Sequence, residues 1–391
     1  MSELIKKWYV VRAISGNEKK VKQYLEHEIV NQHLEEYIIQ VLIPTEKVYM
    51  ICNEKKVSKY LQDKLCELGL DVALDKKGNI YAIFHGKITG QSLLFSAHMD
   101  TVTPGNGIEP VVKGDKIISK GDTILGGDDK SGIAEIMEML YLIKEKDLET
   151  TSIVVIFSVK EEFGLKGAKE LQPIQVDYGF VLDTGGDIGT VVVKAPTHYS
   201  FIADIKGRSA HAGIEPEKGV NAIVAASRAI SACKIGRIDS ETVANIGIIN
   251  GGKATNIVPD SVIVKGEVRS LSKKKVKKHI YDMKEAFVKE CKKVGAEVNF
   301  KDTKDYNSFD LSEEKDLLKI CKRAANIIGV KHQEKASGGG SDANIFNKMG
   351  IPTVVLSTGM RNVHTCDEEI RISDMVKATE YLMAIVKKAK D

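Results

Sequence analysis

The sequence predicts an α/β protein into which a second, α+β domain is inserted. Two observations predict this fold class. Short apolar runs typical of buried strands alternate with amphipathic helical segments along most of the 391 residues. Between residues 197 and 303 the alternation gives way to the order β-α-β-β-α-β of a ferredoxin-like unit. We therefore expect one α/β domain whose chain is interrupted by a smaller domain.

Composition and charge exclude several classes of protein. The chain is 43% hydrophobic and 28% charged with a formal net charge of +3, so nothing demands a nucleic acid or an anionic membrane as partner. No apolar run approaches the roughly 18 residues that span a bilayer, and we expect a cytoplasmic protein. The six cysteines form no C-x-x-C pair, which favours reduced thiols over disulfides or a cysteine zinc site.

Residues 7–49 do not resemble the start of an enzyme. A β-run over Trp8–Val11 precedes a turn, a charged helix over about Asn17–His33 and a second apolar run that ends in Ile43-Pro44-Thr45-Glu46. This order resembles the opening of the N-terminal domain of NusG-type transcription factors, and the likeness stops near Val48. It motivates an alternative class of function, a transcription-associated binding protein.

A short repeat accompanies this segment. Asn17-Glu18-Lys19-Lys20-Val21 recurs as Asn53-Glu54-Lys55-Lys56-Val57, and each copy is followed closely by Tyr-Leu. We interpret residues 1–50 as a fused NusG-like segment joined where two helix starts are similar; the alternative is a divergent N-terminal extension of the enzyme. Deletion of residues 1–48 distinguishes the two, because only the second predicts loss of activity and thermal stability.

The next elements lead to the first chemically informative residues. Apolar residues at helical spacing from Val57 to Leu68 predict a helix, and residues 72–74 and 80–84 predict a hairpin. The apolar run from Leu93 then predicts a buried strand that ends at His98, with Asp100 two residues later. A carboxylate near an imidazole can fix the tautomer of a metal-binding histidine, so we predict His98 as a ligand and Asp100 as the group that orients it.

Two further apolar strands end in carboxylates. The run 152–159 ends at Glu161 and Glu162, and the run 178–182 ends at Asp183. Between the first strand and these two, Gly126–Gly132 opens a helix and contains Asp128 and Asp129. An aspartate at this position is usually a helix cap, but two aspartates behind two glycines exceed what capping requires.

The inserted domain and the C-terminal part complete the pattern. After a helix over 313–328, the stretch Ser337–Asn344 is rich in glycine, a strand over 353–356 follows, and His364 lies beyond that strand before a last helix over 373–388. The inserted domain is predicted as strands over 199–205, 242–250, 261–269 and 296–300 and helices over 219–233 and 273–294.

Together these strand ends supply imidazole and carboxylate groups without sulfur. Such a set suits two borderline divalent ions, with Zn²⁺ first and Co²⁺ or Mn²⁺ possible. Two cations would lower the pKa of a water between them and polarise a carbonyl group. We expect adjacent glutamates at a strand end to point to opposite sides, one toward metal and one toward the attacked carbonyl. The candidate ligands are His98, Asp128, Glu161 or Glu162, Asp183 and His364.

From about residue 53 to residue 391 the chain resembles the M20 family of metallopeptidases, most closely its peptidase T-like branch. The fold that this implies is a zinc-exopeptidase-like, three-layer catalytic domain (residues 51–195 and 305–391) with a ferredoxin-like lid and dimerisation domain (196–304), preceded by the NusG-like residues 1–50. The motifs that carry the resemblance are S-A-H-M-D-T-V, G-G-D-D-K-S-G, E-E-F-G-L-K-G, D-T-G-G, S-A-H-A-G and a terminal H-T.

The resemblance also implies roles for individual residues. Asp128 would bridge two zinc ions, with His98 and Asp183 completing one site and Glu162 and His364 the other. Glu161 would be the general base, and His211 would reach from the lid, in some relatives from the partner subunit, to stabilise the oxyanion. The residues that would bind substrate are Asn256, Arg269 and Gly339.

The implied function is that of a dinuclear zinc exopeptidase that releases the N-terminal residue of tripeptides and forms a homodimer through the lid. The same core also serves carboxypeptidases and N-acyl-amino-acid deacylases, which fold and metals do not separate. No membrane partner is expected, and no nucleic acid unless the N-terminal segment is functional.

Overall fold

A computed structural model describes residues 46–389 together with residues 25, 27–29 and 31, with side chains of the longer stretch from residue 56 onward. The chain divides into two compact units, Met1–Lys55 and Lys56–Asp391. The strand predicted over 8–11 and the apolar run before Pro44 lie outside the described residues. Of the helix predicted over 17–33, the described residues are helical. Among the described helices, none has the length and apolar character that a membrane-spanning segment needs.

The second unit alternates strands and helices as expected. The α-helices of the described residues are α1 Glu46–Glu67, α2 Gly127–Glu145, α3 Ala222–Ala232, α4 Lys273–Lys293, α5 Lys315–Ile327, α6 Ala343–Lys348 and α7 Ile372–Lys388. The strands are β1 Asp71–Leu74, β2 Ile80–Phe84, β3 Leu93–His98, β4 Pro110–Lys113, β5 Lys116–Ser119, β6 Ile153–Ser158, β7 Tyr178–Thr184, β8 Thr190–Ala195, β9 Thr197–Lys206, β10 Gly236–Arg237, β11 Thr242–Gly251, β12 Ser261–Ser270, β13 Glu297–Tyr306, β14 Phe309–Asp310, β15 Gln333–Ala336, β16 Thr353–Ser357 and β17 Glu369–Arg371.

The main sheet has nine strands in the order β1-β2-β6-β3-β7-β16-β8-β14, with β15 paired to β8. Its centre is parallel, because β3 pairs in parallel with both β6 and β7, and β7 pairs in parallel with β16. Every residue of β3 is buried, which explains why its sequence is a continuous apolar run rather than an alternating one. The α/β architecture with an inserted domain agrees with the prediction.

Helices cover this sheet and complete one large apolar core. Helix α2 packs on β3, β7 and α7, and α7 packs in turn on α5. Phe95 of β3 and Phe180 of β7 stack with ring centroids 5.4 Å apart. In α1, Leu61 and Leu65 are buried at the predicted spacing, and Gly69 ends the helix with a φ of +87°. The core thereby fixes the edge of the sheet where β3, β6 and β7 end.

A second, five-stranded antiparallel sheet is formed within residues 197–306, in the order β10-β11-β12-β9-β13. Helices α3 and α4 pack against each other and against β9 and β12. A separate core lies between them, in which Phe201 stacks on Phe300 with centroids 4.8 Å apart. The elements are those expected of a ferredoxin-like unit, with β10 as an addition.

Several elements were not predicted from the sequence. Strands β4, β5 and β17 form a third sheet, and β8 lies inside the main sheet. Strand β4 is short and largely exposed, and β17 has only three residues, so both carry little apolar signal. Strand β8 is a different case: its residues Thr190–Val193 are buried and carry an apolar signal, which the sequence prediction did not include.

Candidate active site

Three neighbouring strands of the main sheet end at the same edge. Strands β6, β3 and β7 are adjacent and parallel, so their carboxyl ends meet. His98 is the last residue of β3, Asp183 is the second-to-last residue of β7, and Glu161 and Glu162 follow β6 by three and four residues. This is the edge at which open α/β sheets bind ligands, at a crevice between diverging strands.

His98 is buried and surrounded by carboxylates. Its Nε2 lies 3.0 Å from Oδ1 of Asp128, and its backbone N–H donates to Oδ2 of Asp129 over 3.1 Å. Its Nδ1 lies 3.1 Å from the backbone carbonyl oxygen of Asp100 and 3.5 Å from Oδ1 of the same residue. Burial opposes a charge on the ring, but Asp100 and Asp128 outweigh it and raise the pKa of His98 well above its usual value.

Asp100 acts on the loop that carries the two glutamates as well as on His98. Its Oδ1 accepts the backbone N–H of Glu161 at 3.0 Å, and its Oδ2 accepts that of Glu162 at 3.1 Å. The predicted contact with His98 is therefore divided between the Asp100 carbonyl oxygen and its carboxylate. One buried aspartate ties the end of β3 to the loop after β6.

The two glutamates differ from expectation in one respect. They lie in a turn after β6, where side chains no longer alternate, and Lys160 before them has a φ of +57°. A carboxylate oxygen of Glu161, a carboxylate oxygen of Glu162 and a ring nitrogen of His98 all lie within 4.8 Å of one another. The expectation that they point to opposite sides is wrong, because it applied strand alternation to a turn.

Asp128 lies at the start of α2, where its backbone is not yet helical. Helix α2 begins after Gly126, which has a φ of +74°, and no side-chain cap is present there. The buried carboxylate of Glu368 instead accepts the N–H groups of Gly126 and Asp128 at 2.7 and 2.9 Å. Asp128 is therefore free of a capping role and directs its carboxylate at two histidines.

His364 approaches Asp128 from the opposite side. Its Nε2 lies 2.8 Å from Oε1 of Glu162 and 3.2 Å from Oδ2 of Asp128. Its φ of +63° is uncommon for a residue other than glycine and is typical of residues held in place at functional sites. Hydrogen bonds that the ring donates to the carboxylates of Asp128 and Glu162 raise the pKa of His364 to about 10.

These side chains form three groups, in each of which one ligand atom per residue lies within 4.8 Å of the others. The groups are His98 with Asp128 and Asp183, Asp128 with Glu162 and His364, and His98 with Glu161 and Glu162. The first two share Asp128, the residue that the family resemblance implies as the bridge between two ions.

The donor set and its electrostatics fit divalent cations. All donors are imidazole nitrogens or carboxylate oxygens, which suit zinc, cobalt and manganese. Burial raises the pKa of Asp183 well above its usual value, and the charges of Glu161 and Asp128 raise it further. Burying several ionised carboxylates close together is unfavourable, so positive charge is needed to stabilise them in their ionised form.

Arg269 of the second sheet faces the same region. Burial opposes the charge of its guanidinium, while Tyr306, Glu267 and Glu161 raise the pKa of Arg269. A Cβ atom on Gly339 would lie 3.7 Å from Nη1 of Arg269, an ordinary contact. The structure therefore brings Arg269 beside the glycine-rich loop and within electrostatic range of Glu161.

The glycine-rich loop has a steric reason that the sequence did not reveal. A Cβ atom on Gly340 would lie 2.3 Å from the ring of Tyr306, which no side chain tolerates. Gly338 and Gly339 have open space or ordinary contacts. Close approach of an aromatic ring therefore accounts for the glycine at position 340.

His211 and Asn256 lie elsewhere. They are neighbours, since the N–H of Ala212 donates to the carbonyl oxygen of Asn256 at 3.0 Å, and both are exposed. Among residues 56–389, no hydrogen bond or ion pair joins either of them to the carboxylates and imidazoles described above. Unlike Arg269, they are not brought to the site by this chain alone.

Several buried residues that support the site were not predicted as site residues. Asp129 binds the backbone of His98, Glu368 binds the start of α2, and Asp342 binds the hydroxyl of Ser158. Burial raises the pKa of Asp342 to about 6, although the Ser158 hydroxyl opposes this shift. Glu368 and Asp342 lie close to motifs that were recognised, which is the signal that could have found them.

Comparison with known proteins identifies the family. The model of peptidase family M20/M25/M40 matches residues 94–388, which is most of the chain. The chain belongs to this family. It is a peptide hydrolase of the M20 type, and the members of that family depend on metal ions.

Relatives of this M20 peptidase extend over nearly its whole length. The Bacillus subtilis protein YqjE, described as uncharacterized, is 40% identical over 91% of this chain and 98% of its own. The structure of aminopeptidase PepT from Bacillus cereus is 40% identical, covers 87% of this chain and 94% of that one, and has a TM-score of 0.78. A tripeptidase from Staphylococcus aureus is 36% identical over the same shares, with a TM-score of 0.82.

The N-terminal part matches a second family. The model of the transcription termination factor NusG matches residues 6–70. The likeness thus continues beyond Val48, and the expectation that it stops there is wrong. Within that extension, residues 49–67 are helical.

Proposed function

We propose that this M20 peptidase is a dinuclear zinc aminopeptidase that releases the N-terminal residue of small peptides, tripeptides first. The observation that carries the proposal is the shared position of Asp128 between two groups of ligand atoms. Relatives named aminopeptidase PepT and tripeptidase, each more than a third identical, support the choice of substrate.

We assign the ligands as follows. Asp128, His98 and Asp183 would hold one ion, and Asp128, Glu162 and His364 would hold the other, in agreement with the groups of nearby atoms. When bound, two such cations supply an activated water near neutral pH and polarise the scissile carbonyl. Asp100, Asp129 and Glu368 hold the ligands in place through His98, the glutamate loop and the start of α2.

Glu161 is assigned as the general base. Burial, with the nearby Asp342, Glu162 and Asp100 carboxylates, raises the pKa of Glu161 well above its usual value against the opposing influence of His98. A carboxylate with a raised pKa is a better proton acceptor near neutrality. Glu161 would take the proton of the attacking water and deliver it to the leaving amine.

Arg269 is assigned to the terminal carboxylate of the peptide, since a guanidinium binds a carboxylate through two parallel hydrogen bonds. Gly339, beside it, leaves room for the peptide backbone. Asn256 and His211 are assigned to the substrate carboxylate and the oxyanion, and their exposure agrees with approach by lid closure or from a second subunit.

We extend the proposal to the organisation of the protein. Residues 1–50 form a NusG-like extension, 51–195 and 305–391 the catalytic domain and 196–304 the lid, through which a homodimer forms. Strand β10 pairs only with residues 243 and 244, so Ile248 and Ile249 lie on an exposed edge in the described part of the sheet. Sedimentation equilibrium tests the dimer, and the deletion of residues 1–48 tests the first boundary.

Product analysis by mass spectrometry tests the substrate. The zinc- or cobalt-loaded protein is incubated with tripeptides, dipeptides and N-acyl amino acids in one panel. We expect release of the N-terminal residue from tripeptides. Release of acyl groups or C-terminal residues would reassign the enzyme as a deacylase or carboxypeptidase, and an absence of turnover with metal bound would contradict the proposal.

A further inference from the structure

One row of side chains crosses the second sheet beside the active site. His198 of β9 lies opposite Arg269 of β12 and opposite Tyr306 of β13. Directly opposed residues of antiparallel strands project to the same face, and so do residues two apart on one strand, such as Glu267 and Arg269. The four side chains therefore share one face of the sheet, the face that meets the glycine-rich loop.

Glu267 accepts hydrogen bonds from one side of the Arg269 guanidinium. Its Oε1 accepts from Nε of Arg269 at 3.0 Å and its Oε2 from Nη2 at 3.1 Å. A guanidinium has five N–H donors in a rigid plane, and this contact uses the side formed by Nε and Nη2. The end formed by Nη1 and Nη2 stays available for a second carboxylate, and Nη1 is the atom nearest to Gly339.

His198 holds Glu267 in turn. Its Nε2 lies 3.1 Å from Oε2 of Glu267, and its Nδ1 lies 3.4 Å from Oδ2 of Asp305. Asp305 is at a bulge of β13, an irregularity that redirects side chains. The ring of His198 also packs on Tyr306, with centroids 5.2 Å apart.

The row has a firm support on the side of the catalytic domain. Gly340 lies so close to the ring of Tyr306 that any side chain at this position would collide with it. Asp305 lies 3.9 Å from the amino group of Lys169, which belongs to the segment after the glutamate loop. The arginine side chain is long and flexible, so its orientation depends on the groups around it. Here those groups are Glu267, His198 and the glycine-rich loop.

We propose that Glu267 and His198 are positioning residues that aim the Nη1/Nη2 end of Arg269 at the Ser337–Gly340 loop, and that they thereby set a preference for peptides with a free terminal carboxylate. The proposal rests on the assignment of Arg269 under Proposed function. It predicts that the preference depends on residues that do not touch the substrate. A mobile guanidinium would lose part of its affinity, because its orientation would have to be restricted on binding.

The test compares a tripeptide with its C-terminal amide. For Glu267→Ala we expect KM of the free peptide to rise about tenfold, with kcat within about twofold and with KM of the amide unchanged. His198→Ala is expected to give a smaller rise, and His198→Gln, which retains a donor for Glu267, to restore most of the wild-type KM. Glu241→Gln is the matched control, because Glu241 pairs with Lys275 at 2.7 Å on the exposed surface of the same domain.

The outcomes separate this proposal from the one on which it rests. If the wild-type enzyme does not distinguish the free peptide from the amide, the assignment of Arg269 fails and this proposal with it. If the wild type prefers the free peptide and Glu267→Ala keeps that preference, only the positioning role is overturned. If Glu267→Ala melts at a lower temperature than wild type, Glu267→Gln is measured instead. An equal rise in KM for the free peptide and for its amide in that variant also overturns the positioning role.

Discussion

Glu161→Gln is expected to bind metal as the wild type does and to lose about 10³-fold in kcat. The amide has nearly the shape of the carboxylate but cannot accept a proton from water. Glu161 also belongs to a group of atoms with His98 and Glu162, so its geometry alone is compatible with a metal ligand. The two roles make opposite predictions for metal content, which is why the substitution is informative.

Metal content by mass spectrometry and kcat with a tripeptide are measured on the same sample. Glu170→Gln serves as the control, since Glu170 is an exposed glutamate in the short helix that follows the same loop. Near-normal kcat in Glu161→Gln would exclude Glu161 as the base. Loss of about one metal per chain would make it a ligand instead.

The sequence predicted the framework of the site because that framework is carried by buried strands. Strands β3, β6 and β7 are apolar along their length, so their ends could be located to within about two residues. Parallel neighbours bring their ends together, and His98 and Asp183 lie where this argument puts them. The order of the strands in the sheet did not have to be known for this prediction, because the candidate ligands lie at or just beyond the strand ends.

The sequence did not predict what depends on turns and on distant contacts. The turn that holds Glu161 and Glu162 is fixed by two hydrogen bonds to Asp100, which is about sixty residues away in the chain. The glycine at position 340 is required by the ring of Tyr306 from another sheet. Neither contact produces a pattern in the nearby sequence, so neither could be predicted without the three-dimensional structure.

Asp128→Asn is expected to disrupt both metal sites at once. Asp128 is the residue that the two ligand groups share, with His98 on one side and His364 on the other. The histidines and their hydrogen bonds hold the pKa of Asp128 well below its usual value despite its burial, so it is ionised at neutral pH. An amide keeps the shape but provides one weak donor oxygen, and we expect metal affinity to fall at least about 100-fold.

Thermal denaturation with and without Zn²⁺ measures this loss independently of activity. At a metal concentration 100 times the wild-type Kd, binding stabilises the wild type by about 2.7 kcal/mol per site, whereas a variant with a 100-fold higher Kd gains only about 0.4 kcal/mol per site. Asp122→Asn, at an exposed position before the same helix, is the control and should respond as the wild type. An equal gain in stability for Asp128→Asn and wild type would show that Asp128 does not bind metal, and the bridged centre would have to be abandoned.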